Sequence, residues 1–188
     1  MELSKNILRG FFAYDDLLER RDDLRGRVCF AAFVYPSREG LADYLGYQTE
    51  VATLADQLNQ RWATPDWGPV LLYSSDNFPR SVAALGRYDA LLVNPVRDGL
   101  NLVAKEGPMV NRADGVVALS REAGVWDELG AAAVGLNPFD VTGTAEALAS
   151  ILDMDADERR RRSQDLARLA SARTPADWLA DQLSAAGA

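Results

Sequence analysis

The chain has 188 residues, 48% of them hydrophobic and 26% charged, with a formal charge of −8. That is ordinary for one soluble domain, large enough to bury roughly 70% of its unfolded surface. The acidic balance argues against general nucleic-acid binding, which depends on neutralising phosphates. The chain contains no histidine and one cysteine, Cys29. Ser-His-Asp and Cys-His catalysis are therefore excluded within it, a zinc site has too few ligands, and no internal disulfide can form. No apolar run reaches the length of a membrane span, and MELSKNILRG lacks the apolar core of a signal peptide. The expectation is a cytoplasmic protein with no membrane partner.

In chain order, Ser4 is placed to cap a helix whose apolar face (Ile7, Leu8, Phe11, Phe12, Leu17, Leu18) runs to about Arg20. Val28–Val34 (VCFAAFV) is uniformly apolar, which predicts a strand covered on both faces, with Cys29 an inert core residue. Tyr35–Gly40 follows as a polar loop. A long helix is expected from about Leu41 to Trp62, then a turn and a short strand, Val70–Tyr73. Asp76 is placed to cap a helix holding Phe78, Val82 and Leu85. Strands at Tyr88–Val93, Gly115–Leu119 and Ala131–Leu136 come next, interleaved with helical segments. Asp140 or Thr142 caps a helix over Glu146–Leu152, and Asp155 with Glu158 has capping-box spacing. Thr174-Pro175 opens a last helix. The four tryptophans read as packing residues, and Arg159–Arg162 as the exposed face of a helix.

Apolar strands alternating with helices predict an α/β fold, a Rossmann-like doubly wound parallel sheet. Ligands of such sheets bind beyond the carboxyl ends of the strands. Tyr35–Gly40, Ser74–Arg80 and Asn94–Asn101 all fall there. The last is the most informative. Leu91–Val93 is a strand, Asn94–Gly99 carries turn chemistry, and Leu102, Val103, Met109 and Val110 recur at helical spacing. Strand, glycine turn and helix leave unpaired N–H groups at the positive end of a helix dipole, which suits an anion. Asp98 at that mouth would repel phosphate but would accept hydrogen bonds from sugar hydroxyls. Whether Glu122 faces a ligand or structures its loop is left open.

The segments SKN, VYPSREG, RYDALLVNPVRDGLNLVAKEG, LSREAG and LNPFD occur in an order that resembles the trehalose-6-phosphate synthase family of glycosyltransferases. The resemblance covers nearly the whole chain, but only the C-terminal, nucleotide-sugar-binding half of that family's two-domain GT-B fold. It implies a retaining enzyme that moves glucose from UDP- or GDP-glucose to glucose 6-phosphate, with neither metal nor other cofactor. Lys5 matches a lysine that contacts the donor phosphates, although the arginine of that motif would precede Met1, and Glu2 and Leu3 depart from the family's Asp and Tyr. Arg38 matches an arginine of the acceptor phosphate site, and Arg80 one near the donor nucleotide. Asp98 matches the carboxylate that binds sugar hydroxyls. Gly99, Leu100 and Asn101 would offer N–H groups to the sugar, and Leu102 and Val103 theirs to the phosphate. Glu106 would hold the ribose, about 12 Å along the helix from Asp98.

The resemblance also implies that the family's N-terminal, acceptor-binding domain lies outside these residues. The expectation is a single donor-binding domain over 1–188, including the helices from 155 onward, with little turnover alone. The partners implied are a nucleotide-sugar donor, a sugar-phosphate acceptor and that N-terminal domain; homo-oligomerisation is left open. Two other readings stand beside it. One is a pseudo-glycosyltransferase of the validoxylamine 7'-phosphate synthase type, the other a non-catalytic nucleotide-binding module. A receiver domain is disfavoured, because no acidic cluster follows the first strand.

Overall fold

A computed structural model describes residues 2–35 and 41–187. Among these residues five strands alternate with α-helices up to α6, and two further helices follow: α1 (Ile7–Arg20), β1 (Phe30–Phe33), α2 (Ala42–Trp62), β2 (Val70–Tyr73), α3 (Phe78–Leu85), β3 (Ala90–Val93), α4 (Leu102–Val110), β4 (Val116–Ser120), α5 (Trp126–Leu129), β5 (Val134–Leu136), α6 (Val141–Leu152), α7 (Ala156–Ala170) and α8 (Pro175–Ala185). Among the described residues the pairings between these strands are all parallel. β1 pairs with β2, in register Phe30 to Val70, and β3–β4–β5 form a second sheet, in register Ala90 to Val116 and Ala118 to Val134. Connections through helices are what parallel neighbours require. The α/β class read from the sequence is the one observed. β4 is buried at every position, with α6 and α7 packed against it. Phe11, Leu18, Leu119, Leu129, Ile151 and Leu166 are among its fully buried companions.

Several expectations are corrected. Ser4 caps no helix: Leu3–Lys5 is a 3₁₀ turn, and α1 starts after Asn6, whose backbone is left-handed at φ 61°. The run Val28–Val34 is not covered on both faces. Only Ala32 of β1 is buried, and Cys29 is exposed. The cap of α3 is Asn77, not Asp76; its side chain accepts from the Arg80 N–H at 3.0 Å. On α4 the apolar residues that set the helical period face outward: Leu102, Val103 and Met109 are exposed, while Ala104, Gly107 and Pro108 are buried. Small residues pack there because helix and strand approach closely. A Cβ on Gly107 would sit 2.6 Å from a Leu91 methyl.

The later caps follow the sequence. Asp140 caps α6 and Asp155 caps α7, although Glu158 pairs with Arg161 and Arg162 instead of closing a capping box; Thr174 caps α8, and the box forms there, with Asp177. Trp178 is nevertheless exposed, with Leu179 and Leu183, so it is no packing residue among those described. Nor is Arg159–Arg162 a merely solvated face. Arg159 donates to the Ala113 carbonyl at 2.9 Å and pairs with Asp89, and Arg162 reaches the Ala132 carbonyl at 3.2 Å. These contacts tie α7 to the segments entering β4 and β5. No described helix is long and apolar enough to cross a membrane.

Candidate functional site

The turn after β3 is assembled from three directions. From the start of the chain, the Asn6 side chain donates to the Asn94 carbonyl at 3.0 Å and the Pro138 carbonyl at 2.8 Å. The Asn94 side chain donates back to the Asn6 carbonyl at 3.2 Å. Both asparagines are buried, and such groups persist only when paired. The Val96 N–H adds a bond to the Ser4 carbonyl at 2.9 Å. These bonds fix residues 4–6 against the end of β3 and so place Lys5. The sequence gives Asn6 no role and marks Asn94 only as turn chemistry. Asn6 occupies the N-cap position of α1, but its side chain makes no cap bond and bridges two loops instead.

From the other side comes the loop after β4. The Asp98 N–H donates to the Glu122 carbonyl at 3.2 Å, and the Gly124 and Val125 N–H groups donate to the Asp98 and Leu100 carbonyls at 2.9 and 3.2 Å. Glycine is required at 124 by close approach: a Cβ there would lie 2.1 Å from the Gly99 carbonyl oxygen. Glu122 thus has a loop-structuring part through its backbone. The two loops border a recess of about 550 Å³, lined by Arg97, Asp98, Gly99, Arg121, Glu122 and Trp126 among others. Arg97 and Arg121 had not been singled out in the sequence.

The third element is α4 itself. Asn101, left-handed at φ 75°, is its N-cap, accepting from the Ala104 N–H at 3.1 Å. Among the described residues no group accepts from the Leu102 or Val103 N–H, as expected of a first helical turn. These two donors remain for an outside acceptor, and the space beside Gly99 is open.

Asp98 is the centre of the arrangement. Its carboxylate is paired with the Lys5 ammonium. It also accepts from the Asn101 side chain at 3.0 Å and the Leu100 N–H at 3.4 Å. Partial burial pushes the Asp98 carboxyl up, but Lys5, Asn101 and Leu100 together outweigh that and hold it below its ordinary value. It is therefore ionised at neutral pH. The pairing answers the objection to a carboxylate at an anion site. Lys5 offsets the charge of Asp98, and the helix start keeps its attraction for phosphate.

The structure brings Lys5, Asp98, Leu100 and Asn101 into contact, with Gly99, Leu102 and Val103 contiguous. Glu106 lies one turn along α4 from Leu102, exposed. Arg80 is also exposed, at the start of α3 beyond β2, its guanidinium 4.8 Å from the Tyr73 ring centre. Tyr73 in turn stacks on Phe33 at 5.0 Å. Neither Arg80 nor Glu106 touches the Lys5–Asp98 pair. Arg38 lies outside the described residues. No group of three or more acidic or cysteine side chains suited to a metal ion occurs among the described residues.

The model of glycosyltransferase family 20 matches residues 1–187. This chain belongs to that family. Its relatives include the bifunctional trehalose-6-phosphate synthase/phosphatase of Thermoproteus tenax, 35% identical over 96% of this chain and 25% of that protein. A UDP-forming α,α-trehalose-phosphate synthase from Burkholderia xenovorans, solved in complex with glucose-6-phosphate, superposes with a TM-score of 0.91 at 32% identity, over 97% of this chain and 40% of that one. The E. coli protein solved with UDP-2-fluoro glucose gives a TM-score of 0.91 at 28% identity, over 97% and 41%. The chain thus spans between a quarter and two fifths of the length of these three.

Proposed function

We propose that this chain is the donor-binding half of a retaining glycosyltransferase that moves glucose from UDP-glucose to glucose 6-phosphate. The observation that carries the reading is the Lys5–Asp98 pair set at the open first turn of α4. Asp98 accepts the sugar hydroxyls and Gly99 to Asn101 border the sugar. The Leu102 and Val103 N–H groups, with Lys5, take the diphosphate, and Glu106 takes the ribose on the helix flank. Arg80 lies towards the nucleotide, and Arg38 serves the acceptor phosphate. The choice of uridine and of glucose 6-phosphate draws support from what the E. coli and B. xenovorans proteins were solved with.

The chemistry follows from the charges. Cleaving the sugar–phosphate bond leaves negative charge on the departing diphosphate. Fixed donors aimed at that charge lower the barrier without reorganising. Lys5, Arg80 and the start of α4 supply them, so the reading assigns no step to a metal. The residues that would complete an acceptor site belong to a further domain, and these 188 residues alone are expected to bind donor with little turnover. A cytoplasmic setting suits nucleotide-sugar chemistry.

The test is a backbone NMR titration with UDP-glucose. The Gly99–Val103 amides and the Glu106 region should shift together and saturate. Shifts confined to distant loops, or none, would reject the assignment.

A further inference from the structure

Lys5 meets Asp98 because of how its next neighbour is held, and that hold depends on two residues with no part in the site so far. Asn6 stands at the N-cap of α1, where a side chain ordinarily accepts from an N–H of the first helical turn. In α1 that part passes to α2. The Tyr47 hydroxyl, from a half-buried side chain 40 residues away, accepts from the Ile7 N–H at 2.9 Å.

The Asn6 amide is thereby free to face the loops. Its nitrogen donates to the Asn94 and Pro138 carbonyls, and its oxygen accepts from the Arg9 guanidinium at 3.0 Å. An amide side chain has two N–H donors and one acceptor oxygen, so both ends of this buried group are engaged. The match matters, because a buried polar group without a partner is costly. Arg9 lies three residues after Asn6, a spacing that makes the two neighbours on the first turn.

Arg9 also holds the loop that Asn6 holds. Its guanidinium lies 5.4 Å from the centre of the Phe139 ring, within cation–π range. Phe139 follows Pro138, and its N–H donates to the Asn137 side chain at 3.0 Å. Asn6 therefore grips the carbonyl of the turn after β5, and Arg9 grips the ring beside it. Among the described residues neither Arg9 nor Tyr47 has a hydrogen bond to Asp98 or to α4. Their connection to the site runs through Asn6 to Lys5, whose ammonium pairs with Asp98.

We propose that Arg9 and Tyr47 are positioning residues for the donor: Tyr47 caps α1 in place of Asn6, Arg9 completes the Asn6 amide, and together they hold Lys5 against Asp98 and the diphosphate. The role in donor binding rests on the donor-site reading above. Lys5 is half exposed; without this clasp its ammonium is free to turn to solvent, and the anion site loses a fixed cation.

The test uses Arg9→Met, Arg9→Lys and Tyr47→Phe in the 188-residue chain. Met has neither donor nor charge, whereas Lys can still donate to Asn6 and lie over Phe139. The first readout needs no nucleotide: the Asp98 carboxyl is titrated with acid and followed by carbon-detected NMR. Partial burial raises this group, and Lys5, Asn101 and Leu100 lower it by more. A loosened Lys5 lowers it less, so the midpoint should rise in Arg9→Met and Tyr47→Phe and keep the parent value in Arg9→Lys. Tyr47→Phe removes no charge, so its rise cannot come from a lost long-range attraction. Residues that merely stabilise the fold would lower the urea midpoint and leave the carboxyl midpoint where it was; that result overturns the proposal.

The second readout is calorimetric titration with UDP. Arg9→Met and Tyr47→Phe should each weaken binding about three- to tenfold, and Arg9→Lys should restore it. The same substitutions made on Lys5→Ala should have no further effect, since groups acting through one residue are not additive. A loss of the same size on Lys5→Ala would mean that they do not act through Lys5 and would overturn the proposal. The two readouts fail separately: a parent chain that binds no UDP overturns the donor reading and the role in donor binding with it, whereas an unmoved carboxyl midpoint overturns the positioning of Lys5 itself.

Discussion

Replacing Asp98 with Asn should separate recognition of the sugar from recognition of the diphosphate. The amide keeps one oxygen, which can still accept from Lys5 and Asn101 as the carboxylate does now. The fold should therefore tolerate the change. Lys5 is half exposed, so loss of the ion pair should cost about 1 kcal/mol or less. The hydroxyls of the donor glucose lose a charged acceptor, and hydrogen bonds to charged groups contribute about 1.5–3 kcal/mol. At about 1.4 kcal/mol per decade, affinity for UDP-glucose should fall roughly 10- to 150-fold. UDP has no glucose, and removing a negative charge near its phosphates should leave its affinity unchanged or slightly raised. Calorimetric titration of both ligands into both proteins reads the difference directly. If Asp98→Asn weakens UDP and UDP-glucose equally, Asp98 does not grip the sugar and the reasoning fails.

Other expected outcomes follow from the same geometry. Gly124→Ala forces a methyl against the Gly99 carbonyl and strains the bond from Gly124 to Asp98; it should cost about 1–3 kcal/mol in urea denaturation and weaken donor binding with it. Glu106→Gln should weaken UDP by up to about tenfold while leaving a UDP analogue that lacks both the 2'- and 3'-hydroxyls unaffected, so an equal loss for both would remove Glu106 from the ribose site. Lys5→Ala should weaken UDP and UDP-glucose alike, opposite in pattern to Asp98→Asn. The Asp98 carboxyl titrates below its unfolded value, so its contribution to stability is complete above the unfolded pKa and is lost as pH falls through the folded one. The stability gap between the parent and Asp98→Asn should accordingly close in acid denaturation below about pH 4; a gap that persists at the acid end would contradict the pairing.

The regular elements were legible because they rest on local signals. Val70–Tyr73 is an apolar run between turns and is a strand with those bounds. Asp140, Asp155 and Thr174 cap the helices they precede, since a cap needs only the side chain and the next turn. Burial was less legible because it depends on neighbours. The apolar run around Phe30 suits a strand covered on both sides, yet only Ala32 of β1 is buried. On α4, hydrophobicity pointed to Leu102, Val103 and Met109 as the packed face, but the close approach to Leu91 selected Ala104 and Gly107.

The candidate site divides in the same way. Asp98, Gly99 and Asn101 stood out by turn chemistry, and the family resemblance gave them and Lys5 their roles. Lys5 and Asp98 are far apart in sequence, and spacing alone offered no reason to pair them. Gly124 and the Asn6–Asn94 exchange escaped notice because each acts through a tertiary contact with a distant loop.

The central claim is that this chain holds the donor through the Lys5–Asp98 pair and the first turn of α4. Calorimetric titration of UDP-glucose into the 188-residue chain tests it most directly. The account requires saturable one-to-one binding, weakened roughly a hundredfold or more when Lys5 and Asp98 are both replaced by alanine. No heat of binding at millimolar UDP-glucose, or binding that the double replacement leaves unchanged, would contradict it.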